Sequence, residues 1–298
     1  MNHFTIKDIE NLCDIKAHTL RIWEQRYELF TPKRKESQHR IYDNDDLKEL
    51  LRISFLYHSG HKISKIAALN PEEIQQLVEK SSLQESNQEV FVHQLIEAGV
   101  DFNKEKFELI INSVVKRIGL ERCIIEVFYP FLQRIGLLWM TNNVIPAQEH
   151  FTSHIIRKKI IVATDGLKKA DSSSPAMLVF APAGEFHEIP LLAANYFLRK
   201  YHNRTIYFGV NVQLESLEYY LQYQPANSLY THVLTKLTND GVENYMELLC
   251  KKFPDKNIVL SGPAAKCIQQ PPANLHIIRS IDEMIAFAKK RGDEKLAT

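Results

Sequence analysis

The stretch APAGEFHEIPLL, residues 181–192, sets a carboxylate, Glu185, two residues ahead of an imidazole, His187, with Pro190 three residues further on. A neutral imidazole offers one ring nitrogen as a ligand, and an acid on the other nitrogen fixes its tautomer and basicity. The pair therefore has the chemistry of a metal ligand with its supporting acid, although a lone loop histidine more often bonds backbone or water. A second grouping lies in LLWMTNNVIPAQEH, residues 137–150, where Trp139 is followed after nine residues by the adjacent Glu149 and His150. Helix packing alone does not call for that arrangement. His150 and His154 are spaced to chelate a metal on one helix face, but no third ligand accompanies them and the spacing reads as coincidence. A third grouping is basic. Residues 16–40 hold seven cationic side chains against three acidic ones, and PKRK followed by SQHRIY has the composition of a wing laid along phosphate. There is no P-loop and no G-x-S-x-G. Cys13, Cys123, Cys250 and Cys267 are scattered without a C-x-x-C pair, which argues against a zinc finger or disulfide framework and fits a reducing cytosol.

These groups need elements to position them. The 298 residues suit two or three domains, and 45% hydrophobic with 24% charged residues is ordinary for a globular chain. A net charge of +1 excludes a uniformly basic protein but not a basic patch on one domain. MNHFTIKDIE carries no apolar signal core and no apolar run approaches membrane-spanning length, so a cytoplasmic location is expected. Residues 1–75 read as short helices broken by a Pro- and Lys-rich loop. Thr5 suits the cap of a helix starting near Ile6, with Asp8 completing a capping box. A tight turn over Cys13–Lys16 leads to a second helix, 17–27, whose buried side holds Leu20, Trp23 and Tyr27. Two helices so joined form a helix-turn-helix, and Arg21 then faces DNA in the major groove. SSLQESNQE, 81–89, is a polar break. Helical spacing over residues 88–168 predicts a four-helix antiparallel bundle. Pro146 suits a first helical turn and Trp139 closes the preceding helix, which places Trp139, Glu149 and His150 at one end of the bundle. After the linker KKADSSSPA, 168–176, strand and helix patterns alternate over 175–298. That alternation predicts a Rossmann-like parallel sheet with helices on both faces and a ligand outside the strands' carboxyl ends.

The string TLRIWEQRY…TPKR…HRIYDNDDL resembles the winged helix-turn-helix of MerR-type transcription regulators over nearly all of residues 1–70. The resemblance implies that Arg21, Tyr27, Arg34, Arg40 and Tyr42 contact operator double-stranded DNA, mainly its backbone, and that two or more copies read repeated half-sites. The cysteines of the metal-sensing branch are missing. The E-x-H-x-x-P loop resembles the D-x-H-x-x-G signature of cobalamin-binding Rossmann-like domains, which implies that His187 is the lower cobalt ligand, backed by Glu185. VQLESLEYY would supply that family's S-x-L element as Ser216 and Leu217, and IVLSGPA its Gly-Gly turn as Ser261 and Gly262. Pro190 and Ser261 stand where the family has glycine. Tryptophan, nine residues, then Glu-His is similar to the cobalamin-capping module of CarH/LitR-like light-responsive MerR regulators. It implies that Trp139 covers the upper corrin face and that Glu149 and His150 hold the adenosyl group. Met140 replaces the histidine that captures cobalt in light-responsive members, and a thioether is a poor substitute for imidazole on Co(III). The resemblance implies a repressor, not an enzyme, that senses adenosylcobalamin and light and assembles into a dimer or tetramer. The alternative is a MerR-type regulator with a degenerate pocket, acting without cobalamin through oligomerisation or a protein antagonist. A cobalamin enzyme would need a catalytic partner domain that residues 1–75 cannot supply, and a shared fold does not establish shared chemistry.

Overall fold

The computed structural model describes residues 4–30, 33–34, 40–84, 88–140, 146–171, 174–235 and 241–296; at 33–34, 79, 82–84, 137–140 and 293–296 it describes the backbone alone. The chain forms two compact units, Met1–Ile155 and Ile156–Thr298. The helix-turn-helix region and most of the helical bundle, read from sequence as separate domains, thus share one unit, and the division falls inside the last bundle helix rather than at residue 168. No helix among the described residues is long and apolar enough to cross a membrane.

In the first unit α1, Ile6–Cys13, starts at Thr5, whose side chain accepts from the Asp8 N–H while the Asp8 carboxylate accepts from the Thr5 N–H. Each satisfies a helix-end donor that would otherwise be orphaned. Asp14 turns the chain at φ 52° into α2, Ala17–Tyr27, which buries Leu20 and Trp23 and leaves Arg21 exposed. The short strands β1, Lys33–Arg34, and β2, Arg40–Ile41, pair antiparallel as the wing. Asp43 and Asp46 form a second capping box at the start of α3, Asn44–His58. Next come α4, Ile63–Ile66, and α5, Pro71–Gln84.

The bundle begins with α6, Glu89–Val100, and α7, Lys104–Cys123. Two separate middle helices were expected; instead the chain bends at Gly119 (φ 80°, ψ 159°) and continues through a π-helical stretch, Ile124–Phe128, into α8, Tyr129–Met140. Pro130 lacks an N–H and its ring would meet the carbonyl four residues back, so a widened turn just before it relieves the conflict. The helix α9 runs from Pro146 to Asp165, with proline in its first turn as expected.

The second unit alternates as the sequence predicts: β3 Met177–Pro182, α10 Glu188–Lys200, β4 Thr205–Val212, α11 Leu214–Tyr223, β5 Ser228–His232, α12 Gly241–Lys252, β6 Asn257–Ser261, a 3-10 turn Pro263–Cys267, β7 Leu275–Ile278 and α13 Ile281–Leu296. All strand pairs are parallel, in the order β4-β3-β5-β6-β7. Every residue of β3 is buried, as a central strand covered on both faces requires. The strand order reverses between β3 and β5, so the loops leaving their carboxyl ends diverge and open a crevice suited to a ligand.

Candidate functional site

At the carboxyl end of β3 the Glu185 side chain is fully buried. One oxygen accepts from the His187 N–H at 3.0 Å and lies 2.6 Å from His187 Nδ1. The other accepts from the Leu234 and Thr235 N–H groups at 2.8 and 2.9 Å and from the Thr235 hydroxyl at 3.0 Å. Burial by itself would raise the Glu185 pKa. The bonds from His187, Thr235 and Leu234 outweigh it and hold the carboxyl well below the usual range, so it is an anion at neutral pH. An anion at Nδ1 keeps the proton there and leaves the lone pair of a neutral ring on Nε2. The His187 side chain is 49% exposed, so a ligand can approach it.

The loop is fastened on both sides of the switch point. The Asn211 N–H beyond the β4 pairing donates to the Glu185 carbonyl, and the Gly184 N–H donates to Asn211 Oδ1, each at 3.0 Å. Leu234 and Thr235, just past β5, hold the carboxylate itself. His187 precedes α10 without capping it through its side chain. Pro190 is the third residue of that helix, where an N–H would have no intrahelical acceptor, so proline is tolerated there.

Ser261 and Gly262 close β6. The Ser261 side chain is buried, 2.7 Å from the Tyr230 hydroxyl and 2.9 Å from His232 Nδ1. Gly262 has φ 103°, and a Cβ there would lie 2.3 Å from the Val233 carbonyl oxygen, so only glycine fits.

Two ligand expectations change. Ser216 lies exposed in the first turn of α11, while Leu217 is 0% exposed and packs in the core of the second unit with Phe180 and Leu229. Leu217 is therefore a core residue, and the hydroxyl that reaches the Glu185 carboxylate belongs to Thr235. Sequence reading missed Thr235 and His232; the available signal was their position at the carboxyl end of the run LYTHVLT.

In the first unit, Glu149 and His150 lie in the first turn of α9, with Glu149 Oε2 3.2 Å from His150 Nδ1 and His150 largely exposed. Gln148, buried between them and the core, donates to the Val100 carbonyl at 2.6 Å and fixes that turn against α6. Trp139 is the penultimate residue of α8, but its side chain, that of Met140 and residues 141–145 lie outside the described residues.

On the DNA-reading side, Arg21 is exposed on α2 and Tyr27 half-buried at its end. Arg40 donates through Nε to Glu24 at 2.6 Å, which ties the wing to α2 and commits much of its charge inside the protein. Tyr42 is 1% exposed; it bridges Phe4 by backbone bonds and packs edge-on against Phe30. The expectation of a DNA contact there is corrected: Tyr42 belongs to the core that seats the wing. The Arg34 side chain lies outside the described residues.

The sequence model of the MerR HTH family regulatory proteins matches residues 4–73, and that of the B12 binding domain matches residues 92–163. The HTH-type transcriptional repressor CarH of Myxococcus xanthus is 24% identical over 220 residues, covering 72% of this chain and 73% of that protein. The HTH-type transcriptional regulator MlrA of Escherichia coli (strain K12) is 35% identical over 66 residues, covering 22% of this chain and 27% of that protein. The solved structure of a Methanosarcina barkeri monomethylamine corrinoid protein matches in fold with a TM-score of 0.56, at 16% identity, over 69% of this chain and 100% of that one. This chain thus joins a MerR-type helix-turn-helix domain to a B12-binding domain, in the manner of CarH-like regulators.

Proposed function

We propose that this protein is a transcription regulator that binds operator DNA through its helix-turn-helix and carries adenosylcobalamin as its sensing cofactor. The observation that supports the cofactor most directly is the donor set at the switch point. A half-exposed imidazole is held by a buried carboxylate, which is itself fixed by three donors from the neighbouring strand's loop. An imidazole so oriented suits a cobalt centre, and His187 is the lower ligand in this reading. Trp139, Glu149 and His150 are assigned to the upper ligand on the resemblance of their spacing. Bound adenosylcobalamin would supply a visible chromophore with a light-sensitive cobalt–carbon bond. The chain's own part is to present Nε2 of His187, hold the Nδ1 proton on Glu185, and couple ligand occupancy to assembly. By linkage, a ligand that binds one assembly better shifts the population towards it.

The test is a visible spectrum of the protein loaded with adenosylcobalamin in the dark, desalted, then illuminated. Retained colour is expected, with its loss or an altered coordination spectrum in His187→Ala. An unchanged spectrum in that variant removes His187 as the ligand. A colourless wild type that still binds specific DNA would leave the cobalamin-independent regulator, for which the replacements at Met140 and Ser261 speak.

A further inference from the structure

The Glu185–His187 pair leaves three polar side chains at the ends of β5 and β6 without a role. The Tyr230 hydroxyl bonds Ser261 Oγ, and Ser261 Oγ bonds His232 Nδ1, at 2.7 and 2.9 Å. This chain ends at His232 Nε2, which is sealed from solvent and has no hydrogen-bond partner among the described residues. A buried polar atom left unmatched costs on the order of 1–3 kcal/mol, and native proteins rarely keep one without a use.

Two further observations say what could match it. Burial pushes the His232 pKa down to about 4, with Glu185 opposing and His187 assisting, so the ring is neutral and lies within electrostatic reach of the ligand pair. A neutral ring beside a buried carboxylate suits a neutral hydroxyl or ring nitrogen better than a phosphate. The ring also lies against Gly262, where a Cβ would come within 3.1 Å of His232 Cε1, so no side chain covers that edge. A corrin macrocycle is too broad to reach an atom enclosed between two strand ends. Only a slender appendage on the macrocycle's lower face, the face His187 would meet, can do so.

We infer that His232, oriented by Ser261 and Tyr230, is a specificity-determining residue that hydrogen-bonds the nucleotide appendage of the corrinoid at its base or ribose. The inference rests on the reading that this unit binds a corrinoid. Ser261, a departure from the expected glycine, then orients the ring that reads the ligand.

The test is a visible titration of the full-length protein with hydroxocobalamin and, separately, with cobinamide, which has the same macrocycle and no nucleotide. Displacing the base from cobalt is needed for one probe only, but that cost is the same for every variant and cancels in the comparison. In His232→Leu the ratio of hydroxocobalamin to cobinamide affinity falls by about tenfold, the worth of one hydrogen bond, with cobinamide affinity unchanged. An unchanged ratio overturns the role of His232 while leaving corrinoid binding intact. If the wild type binds neither probe, the cofactor reading fails and this inference falls with it. Should His232→Leu lose both probes, Ser261→Ala decides on the same ratio: a fall supports the inference and an unchanged ratio overturns it.

Discussion

A carboxylate with no solvent exposure is held in its charged form by five hydrogen bonds, and that fact carries the site at the scale of single residues. Glu185→Gln keeps the shape but puts an amide NH2 against groups that only donate. The expected cost is on the order of 2–3 kcal/mol of stability in the second unit, read from urea unfolding. His232 adds a pH dependence of definite sign. Its folded pKa, pushed down to about 4 by burial, lies below the 6.5 of an unperturbed ring. The folded ring stays neutral while the unfolded one takes up a proton. Its contribution is therefore complete above pH 6.5 and is lost as pH falls towards 4. Glu185 acts in the same sense only below its unperturbed 4.5. His93, buried in the first unit and likewise lowered by burial, also acts in this sense. The difference between wild type and His232→Gln isolates the effect: the gap between their urea midpoints should narrow from pH 7 to pH 5. A gap that does not change would show that the ring is already protonated in the fold.

At the scale of elements, Gly262 couples strand geometry to the site. A Cβ at this position meets the Val233 carbonyl at 2.3 Å, and the φ of 103° is strained for any other residue. The same carbonyl accepts from Ala264, and the Val233 N–H donates to the Ser261 carbonyl. Gly262→Ala should therefore part β5 from β6, cost roughly 1–3 kcal/mol, and lower the melting temperature together with corrinoid affinity. A variant as stable as wild type would show that the turn can adjust. The elements themselves were legible because each carries its own period: all five parallel strands and the four helices between and after them fall where the apolar pattern puts them. The caps at Thr5 and Pro146 were legible for a similar reason, since their chemistry is local. Tyr42 and Leu217 were misread because neighbouring residues in a motif can face opposite ways, and sequence does not fix which side meets the core. The π-helical stretch before Pro130 was invisible to a periodicity that assumes regular turns. Thr235 escaped because its partner, Glu185, is fifty residues away, and the link exists only through the parallel pairing of β3 with β5.

The whole chain has almost no net charge, yet its charges are arranged so that the first unit is fastened internally while α2 keeps a free cationic face. Glu97 on α6, 7% exposed, accepts from Arg52 on α3 and from Lys106 on α7, the latter at 2.7 Å. Lys48 on α3 reaches Asp101 at the end of α6 at 2.8 Å, and Arg134 on α8 pairs with Glu89. The DNA-reading region is thus joined to α6 by buried and half-buried ion pairs. Removing one partner of such a pair costs more than the pair contributes, because the other charge is left stranded. Glu97→Ala should loosen α3 specifically, with amide exchange over residues 44–58 faster by roughly tenfold, about 1.4 kcal/mol of lost protection. Arg21→Ala should leave that exchange unchanged and instead weaken binding to a DNA fragment selected by the wild type, with the salt dependence reduced by about one phosphate contact. The two variants separate holding the reading head from reading. If Glu97→Ala left α3 as protected as before, apolar packing alone would account for the union of α3 with α6. If Arg21→Ala bound DNA with an unaltered salt slope, the exposed face of α2 would not be the one laid against the phosphates.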